Sequence, residues 1–153
     1  MELRQYTPAD CAEMRQLFFD TVHTVNAKDY TKAQLDAWAP KNLDAARWNA
    51  SFSAHYTLVA VEDSKIVGFG DIDKTGYLDR LYVHKDFQRQ GIATALCDVL
   101  EHAYGDTLAV IRTHASVTAK PFFEQRGYQV IKAQKVRRQG VFLENFRMEK
   151  TRK

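Results

Sequence analysis

The run Gln88-Arg89-Gln90-Gly91-Ile92-Ala93 joins two segments of different periodicity, and the junction has the parts of a phosphate site. Before it, Tyr77-Leu78-Asp79-Arg80-Leu81-Tyr82-Val83 is rich in aromatic and aliphatic residues and reads as a strand. After it, Ile92, Ala95, Leu96, Val99, Leu100 and Ala103 recur at the spacing of one buried helical face. The free N–H groups at a helix start point outward and carry the positive end of the dipole, which suits a phosphate. Gly91 lets the backbone approach closely, the small Ala93 does not shield it, and Arg89 adds charge. Two common phosphate loops are excluded. The chain has no G-x-x-x-x-G-K-S/T, and no G-x-G-x-x-G followed by an acidic residue.

The strand itself carries an ionisable group. Alternation puts Tyr77, Asp79 and Leu81 on one face and Leu78, Arg80 and Tyr82 on the other. Asp79 sits where burial is expected, beside Tyr77. Such a carboxylate is either a general base or half of an ion pair with a neighbouring Arg or Lys. His114, just past a later predicted strand, is a second and weaker base candidate.

Leu81-Tyr82-Val83, a short loop and Gln88 to Ala93 resemble the acyl-CoA-binding motif of the GNAT superfamily, Q/R-x-x-G-x-G/A. Downstream, Ser116-Val117-Thr118-Ala119-Lys120-Pro121-Phe122-Phe123-Glu124-Gln125-Arg126-Gly127-Tyr128 resembles that superfamily's next motif, N-x-x-A-x-x-F-Y-x-x-x-G-F. The two occur in the family's order and separation, and the resemblance spans most of the chain. It implies a single domain over residues 1–153 of class α+β. The sheet would be mixed, mostly antiparallel and of about six to seven strands, flanked by helices and splayed between the fourth and fifth strands. It also implies acetyl-CoA as co-substrate, without a metal, and direct acetyl transfer to an amine in a ternary complex. Cofactor contacts would come from Leu81, Tyr82, Val83, Gln88, Arg89, Gln90, Gly91, Ile92, Ala93, Thr94, Ser116 and Phe123. Ser116 stands where the pattern often has Asn, so its hydroxyl either bonds the pantetheine arm or caps the next helical turn. Asp79 and Tyr77 are the catalytic candidates, with Asp79 as base because the attacking amine must be neutral.

One departure is plain. The family's F-Y pair often supplies an acid for the leaving thiolate, and here that position is Phe123, which has no proton to give. Tyr77, Tyr82 or Tyr128 would have to substitute, or the thiolate would leave unassisted. The alternative function is a catalytically weak acyl-CoA-binding or regulatory module.

The whole chain sets the bounds. Its 153 residues and 45% hydrophobic content suit one compact domain. The net charge of +3 is mild, and the basic cluster at Lys135-Val136-Arg137-Arg138 is thin for a nucleic-acid binder. Cys11 and Cys97 lack CxxC spacing and read as reduced thiols of a cytoplasmic protein. No run approaches membrane-spanning length.

In chain order, the pattern predicts a strand over 2–6 and helices over about 10–25, from 31 to before Pro40, and over 42–52. Strands follow at 56–61 and 66–72 as a hairpin, then 77–83. After the helix from Ile92, a strand is predicted at 107–113, a helix over 118–126, and a closing hairpin of 128–136 with 141–148. An exposed edge in that hairpin offers a place for a homodimer. The first third is aromatic-rich, which suits both core packing and an acceptor pocket. His23, Tyr30 and Trp38 lie nearest to helix ends and are the substrate-binding candidates. The resemblance implies an acceptor that is a small-molecule amine or a protein amino group.

Overall fold

The computed structural model describes residues 1–152. The strands are β1 (Glu2–Gln5), β2 (Tyr56–Glu62), β3 (Lys65–Ile72), β4 (Tyr77–Val83), β5 (Val110–Ser116), β6 (Gln129–Arg138) and β7 (Val141–Thr151). The helices are α1 (Cys11–Thr24), α2 (Lys32–Trp38), α3 (Ala45–Ala54), α4 (Ile92–Leu100) and α5 (Lys120–Gln125). All seven strands form one sheet in the order β1-β2-β3-β4-β5-β7-β6. Every neighbouring pair is antiparallel except β4 and β5.

That parallel pairing is short. Only Tyr77 with Arg112 and Leu78 with Thr113 are in register, and beyond them the two strands diverge. The predicted splay is therefore present. It follows from opposite commitments: β4 stays paired with β3 as far as Val83, while β5 stays paired with β7 as far as Ser116.

The sheet is covered on both faces. Leu96, Leu100, Ile111, Phe123 and Met148 lie in one core under α4 and α5, and Met14, Phe18, Leu35, Phe52 and Phe69 in the other under α1 to α3. β4 contributes to both, but not in simple alternation. Asp71 of β3 pairs with Arg80 while the next residue, Ile72, pairs with Leu78, so Asp79 is an extra residue in a β-bulge. Leu78 and Leu81 consequently belong to the same core, and Arg80 and Tyr82 face the other. The expectation that Leu78 shares a face with Arg80 and Tyr82 is corrected by that insertion.

Boundaries also move, two of them for a visible local reason. β5 begins at Val110, not Thr107, because Gly105–Thr107 closes a tight turn in which the Thr107 hydroxyl donates to the Tyr104 carbonyl at 2.8 Å. His114 thus lies inside the strand. The third helix starts at Ala45, where the Asp44 carboxylate caps it by accepting from the Arg47 amide at 3.1 Å. β6 is a sheet edge, with Ile131 49% exposed. No described helix is long and apolar enough to cross a membrane.

α4 must be placed accurately, since its first turn is the candidate phosphate site. It packs on the glycines of β3: a Cβ on Gly68 would stand 2.8 Å from Ile92 Cγ2, and one on Gly70 2.7 Å from Leu100 Cδ1. Burying a leucine contributes about 1.5–3 kcal/mol, against roughly 1 kcal/mol for a good N-cap, so the sheet contact rather than a cap fixes this helix. At its far end, Glu101 is 3% exposed and accepts from Arg126 Nε and Nη2 at 2.9 Å each, from the Tyr128 hydroxyl at 2.7 Å and from Lys150 Nζ at 3.3 Å. Burial pushes the Glu101 carboxyl up, but the hydrogen bonds from Arg126 and Tyr128 outweigh it and hold the group below its usual range. A carboxylate with a lowered folded-state pKa stabilises the fold above its unfolded pKa, and that contribution is lost as pH falls through the folded value. Glu101→Gln should therefore lower unfolding stability by about 3 kcal/mol at neutral pH. The gap to wild type in urea denaturation should narrow steadily below the ordinary glutamate range. A gap independent of pH would rule out the ionic origin.

Candidate active site

The splay opens a cleft of about 200 Å³ on the α1–α3 side. Its floor carries Tyr77, Asp79, Arg80 and Tyr82 from β4, its far wall His114 and Ser116 from β5, and its near wall Tyr30, Trp38 and Trp48. The β6–β7 hairpin overhangs it with Arg138 and Asn145. From Asp79 to Val83, the edge of β4 that faces β5 pairs with no strand among the described residues.

At the outer end of this edge lies the glycine junction. Gly91 caps α4 with φ +81°, a left-handed conformation that favours glycine, and a side chain there would meet nothing within 4 Å. The Ala95 amide reaches the Gly91 carbonyl at 3.0 Å, so the amides of Ile92, Ala93 and Thr94 precede the first intrahelical bond and stay open to a ligand. Ile92 offers backbone only, because its side chain is buried. Gln88 is engaged locally, its Nε2 donating to the Val83 carbonyl at 2.7 Å and to that of His84 at 3.3 Å, which ties the loop to the strand end. Arg89 and Gln90 are exposed, and Arg89 takes φ +60°.

The bulge gives Asp79 its place. Its side chain is 30% exposed and reaches the cleft. Burial first, and then the charge of Asp71, push its carboxyl above the usual range, against the lowering influence of Arg80 and His55. The ion-pair reading has an answer in the distances. Arg80 Nη1 lies 2.6 Å from Asp71 Oδ2 but 3.8 Å from Asp79 Oδ2. Arg80 is committed elsewhere too, since Nη2 donates to the Ser51 hydroxyl at 3.0 Å and the guanidinium covers the Trp48 and Phe52 rings. Asp79 therefore keeps lone pairs for a ligand.

The other candidates separate. The Tyr77 ring meets that of His114 edge-on at 5.2 Å, and burial, helped by the Asp79 charge, pushes its hydroxyl up to about 12. Burial lowers His114, with Arg112 and Arg147 adding to the effect. Tyr82 is pushed up by burial and lines the cleft. Tyr128 does not reach it, because its hydroxyl is held by Glu101. Phe123 is 4% exposed and packs on the Tyr128 ring at 5.0 Å. Ser116 lines the cleft while accepting from the Ala119 amide at 3.0 Å, so it caps the turn into α5.

Of the three acceptor candidates, two are brought together. Tyr30 and Trp38 meet edge-on at 5.2 Å, and the Tyr30 hydroxyl donates to the Glu144 carbonyl at 2.7 Å while accepting from the Val117 amide at 2.9 Å. His23 lies outside the cleft, with its Nε2 2.8 Å from the Ala39 carbonyl and its ring on Phe19 at 4.2 Å. Its position near a helix end serves to join α1 to the end of α2.

Sequence reasoning missed a buried group behind Asp79. Asp71, fully buried, is bonded through Oδ2 to His55 Nδ1 at 2.8 Å as well as to Arg80. The signal was in the hairpin: pairing 56–61 with 66–72 brings position 71 within two residues of His55. His55, Asp71 and Asp79 have potential ligand atoms within 4.8 Å of one another. The Arg80 guanidinium on Asp71 already supplies the positive charge that a cation would bring.

Comparison with known proteins agrees with this geometry. The pattern of the acetyltransferase (GNAT) domain matches residues 26–151. The chain is 32% identical over 149 residues to the uncharacterized N-acetyltransferase YafP of Escherichia coli K12, covering 97% of this chain and 94% of that protein. A GCN5-related N-acetyltransferase from Rhodopseudomonas palustris superposes with TM-score 0.94 at 33% identity, covering 98% of this chain and 94% of that one. PaiA N-acetyltransferase of Thermoplasma acidophilum, solved with coenzyme A, shares the fold with TM-score 0.81 at 17% identity over 99% and 98% of the two chains. The splayed β4–β5 cleft, the glycine-capped α4 and these matches make the chain a member of the GNAT family, an acetyl-CoA-dependent acetyltransferase.

Proposed function

We propose that the protein transfers an acetyl group directly from acetyl-CoA to a primary amine of a small molecule or protein, both substrates being bound together in the β4–β5 cleft. The observation that carries this reading is continuity. The open amides of α4, the unpaired edge of β4 and the Asp79 carboxylate follow one another along a single track. The pyrophosphate sits at the start of α4. The amide-rich pantetheine arm pairs along Leu81 to Val83 as an added strand would. The thioester then lies in the splay, and the amine enters between Trp38, Trp48 and Tyr30. A cytoplasmic location fits the buried, unpaired Cys11 and Cys97.

Asp79 takes a proton from the entering ammonium, directly or through water. The neutral nitrogen attacks the carbonyl carbon, the C–S bond breaks, CoA leaves as thiolate, and the proton still on the nitrogen is lost to water or to that thiolate as the amide forms. With Phe123 apolar and Tyr128 committed to Glu101, only Tyr77 and Tyr82 remain of the named hydroxyls. Both have raised pKa values and so donate a hydrogen bond to the sulfur rather than a full proton. A thiol is acidic enough, with a pKa near 8.5 in a model cysteine, to leave on those terms. A second reading rests on the same Phe123: a protein that holds acyl-CoA with little turnover.

Two measurements test these statements. In calorimetric titration with acetyl-CoA, Gly91→Glu should weaken binding at least about tenfold, or roughly 1.4 kcal/mol. The variant forces a side chain into a left-handed position and sets a carboxylate beside the pyrophosphate. Equal affinity in both proteins would remove the phosphate site from α4. In steady-state assays with an amine found by screening CoA release, Asp79→Asn should lower kcat/KM by about 10²–10⁴ while acetyl-CoA binding persists. Wild-type kcat/KM should rise with pH through the elevated carboxyl pKa of Asp79. No CoA release with any amine, despite tight binding, would favour the binding-module reading.

A further inference from the structure

Beneath the cleft lies a chain of charges of which the acetyl-transfer scheme above uses only Asp79. It runs from Asp79 at the bulge to Arg80 and Asp71, and on to His55, which caps the C-terminal end of α3. Asp71 is the buried centre, with no exposed surface. Oδ2 holds both Arg80 and His55, whereas its Oδ1 is buried with no donor among the described residues. A fully buried carboxylate is costly and is kept only where it is paired. A bland structural role explains the pairing with Arg80, which fastens β3 and β4 to α3 through Ser51, Trp48 and Phe52. It does not explain why His55 is brought to the same oxygen, nor why the group lies within 4.8 Å of Asp79, whose carboxylate opens to the cleft.

We propose that His55 and Asp71 are positioning residues for acetyl transfer, acting through Asp79 as a buried charge chain that balances its two protonation states. This rests on the reading of Asp79 as the base. With His55 protonated, the resting site sets two carboxylates against two cations. When Asp79 accepts the proton of the amine, Arg80 and His55 are held by Asp71 alone and the cluster carries one net positive charge. Asp71 favours the protonated form of Asp79 by like-charge repulsion, and His55 with Arg80 favours the ionised form that can accept again. The His55 ring is itself kept charged to higher pH by its hydrogen bond to Asp71. Other groups facing Asp79 are Asp73 before β4, Tyr77 on the same strand and His114 on β5. Of these, Asp73 is spent on Thr75 and on the Tyr77 amide, and His114 is disfavoured as a cation by burial.

His55 and Asp71 act on Asp79 in opposite senses, which a scaffold would not do. His55→Gln keeps a donor for Asp71 but removes a cation, so the Asp79 carboxyl should titrate at higher pH. Asp71→Asn removes the repelling charge and frees Arg80 toward Asp79, so the carboxyl should titrate lower. Carbon-detected NMR titration of the aspartate carboxyls in the free protein, with Asp79 assigned by its loss in Asp79→Asn, reads both effects without any acceptor. Displacements of about one pH unit in opposite directions are expected, with the acid limb of kcat/KM following them for an amine found by the screen. If Asp71→Asn does not fold, the upward displacement in His55→Gln carries the test alone. An Asp79→Asn enzyme with full activity would overturn the assignment of the base, and the chain with it. An inactive Asp79→Asn together with an unmoved titration in His55→Gln, or with both variants moving the same way, would overturn the chain while leaving the base in place.

Discussion

Two backbone pairs, Tyr77 with Arg112 and Leu78 with Thr113, join β4 to β5, and the site depends on the ladder ending there. Had the pairing run on, the edge of β4 would be satisfied internally and no extended ligand could use it. It ends because each strand is claimed on its other side, β4 by the hairpin with β3 and β5 by the long antiparallel β7. A sheet in two halves, each with its own core contacts, can afford an open seam. The cost of that seam is two rows of backbone groups that need water or a ligand.

The bulge at Asp79 is the second constraint, and it works at the same level of the sheet. An inserted residue breaks alternation, so Leu78 and Leu81 can both reach the core under α4 while Asp79 turns to the cleft. The charge there is only partly compensated from behind, where Arg80 is drawn to buried Asp71 and away from Asp79. A carboxylate whose arginine is held more closely by another acid is suited to accept a proton. The aromatic wall of α2, α3 and Tyr30 then restricts what can approach it.

Much of this was legible in the chain. The 3.6-residue pattern from Ile92 and the glycine before it located α4 and its open first turn, and the run from Tyr77 to Val83 was unmistakably a strand. The hairpins were signalled by their turns. What stayed hidden depended on tertiary context. No local pattern marks a bulge, so simple alternation gives the wrong faces for β4 around Asp79. The pattern starts β5 three residues early, because apolar Leu108 and Ala109 look like strand while the turn before them is closed by a threonine hydroxyl. His23 had the composition of a pocket residue, but its bond to the Ala39 carbonyl could not be foreseen from spacing. His55 and Asp71 were within reach, since the hairpin register brings them together, yet neither belongs to a motif.

The account stands or falls on the open seam holding the acyl-CoA arm. Hydrogen–deuterium exchange with and without acetyl-CoA tests this most directly. Protection should appear together at the first turn of α4, Ile92 to Thr94, and along Leu81 to Val83, with little change on the outer edge at β6. Protection confined to one of these segments, or appearing at β6 instead, would contradict the continuous track from the glycine-capped helix to Asp79.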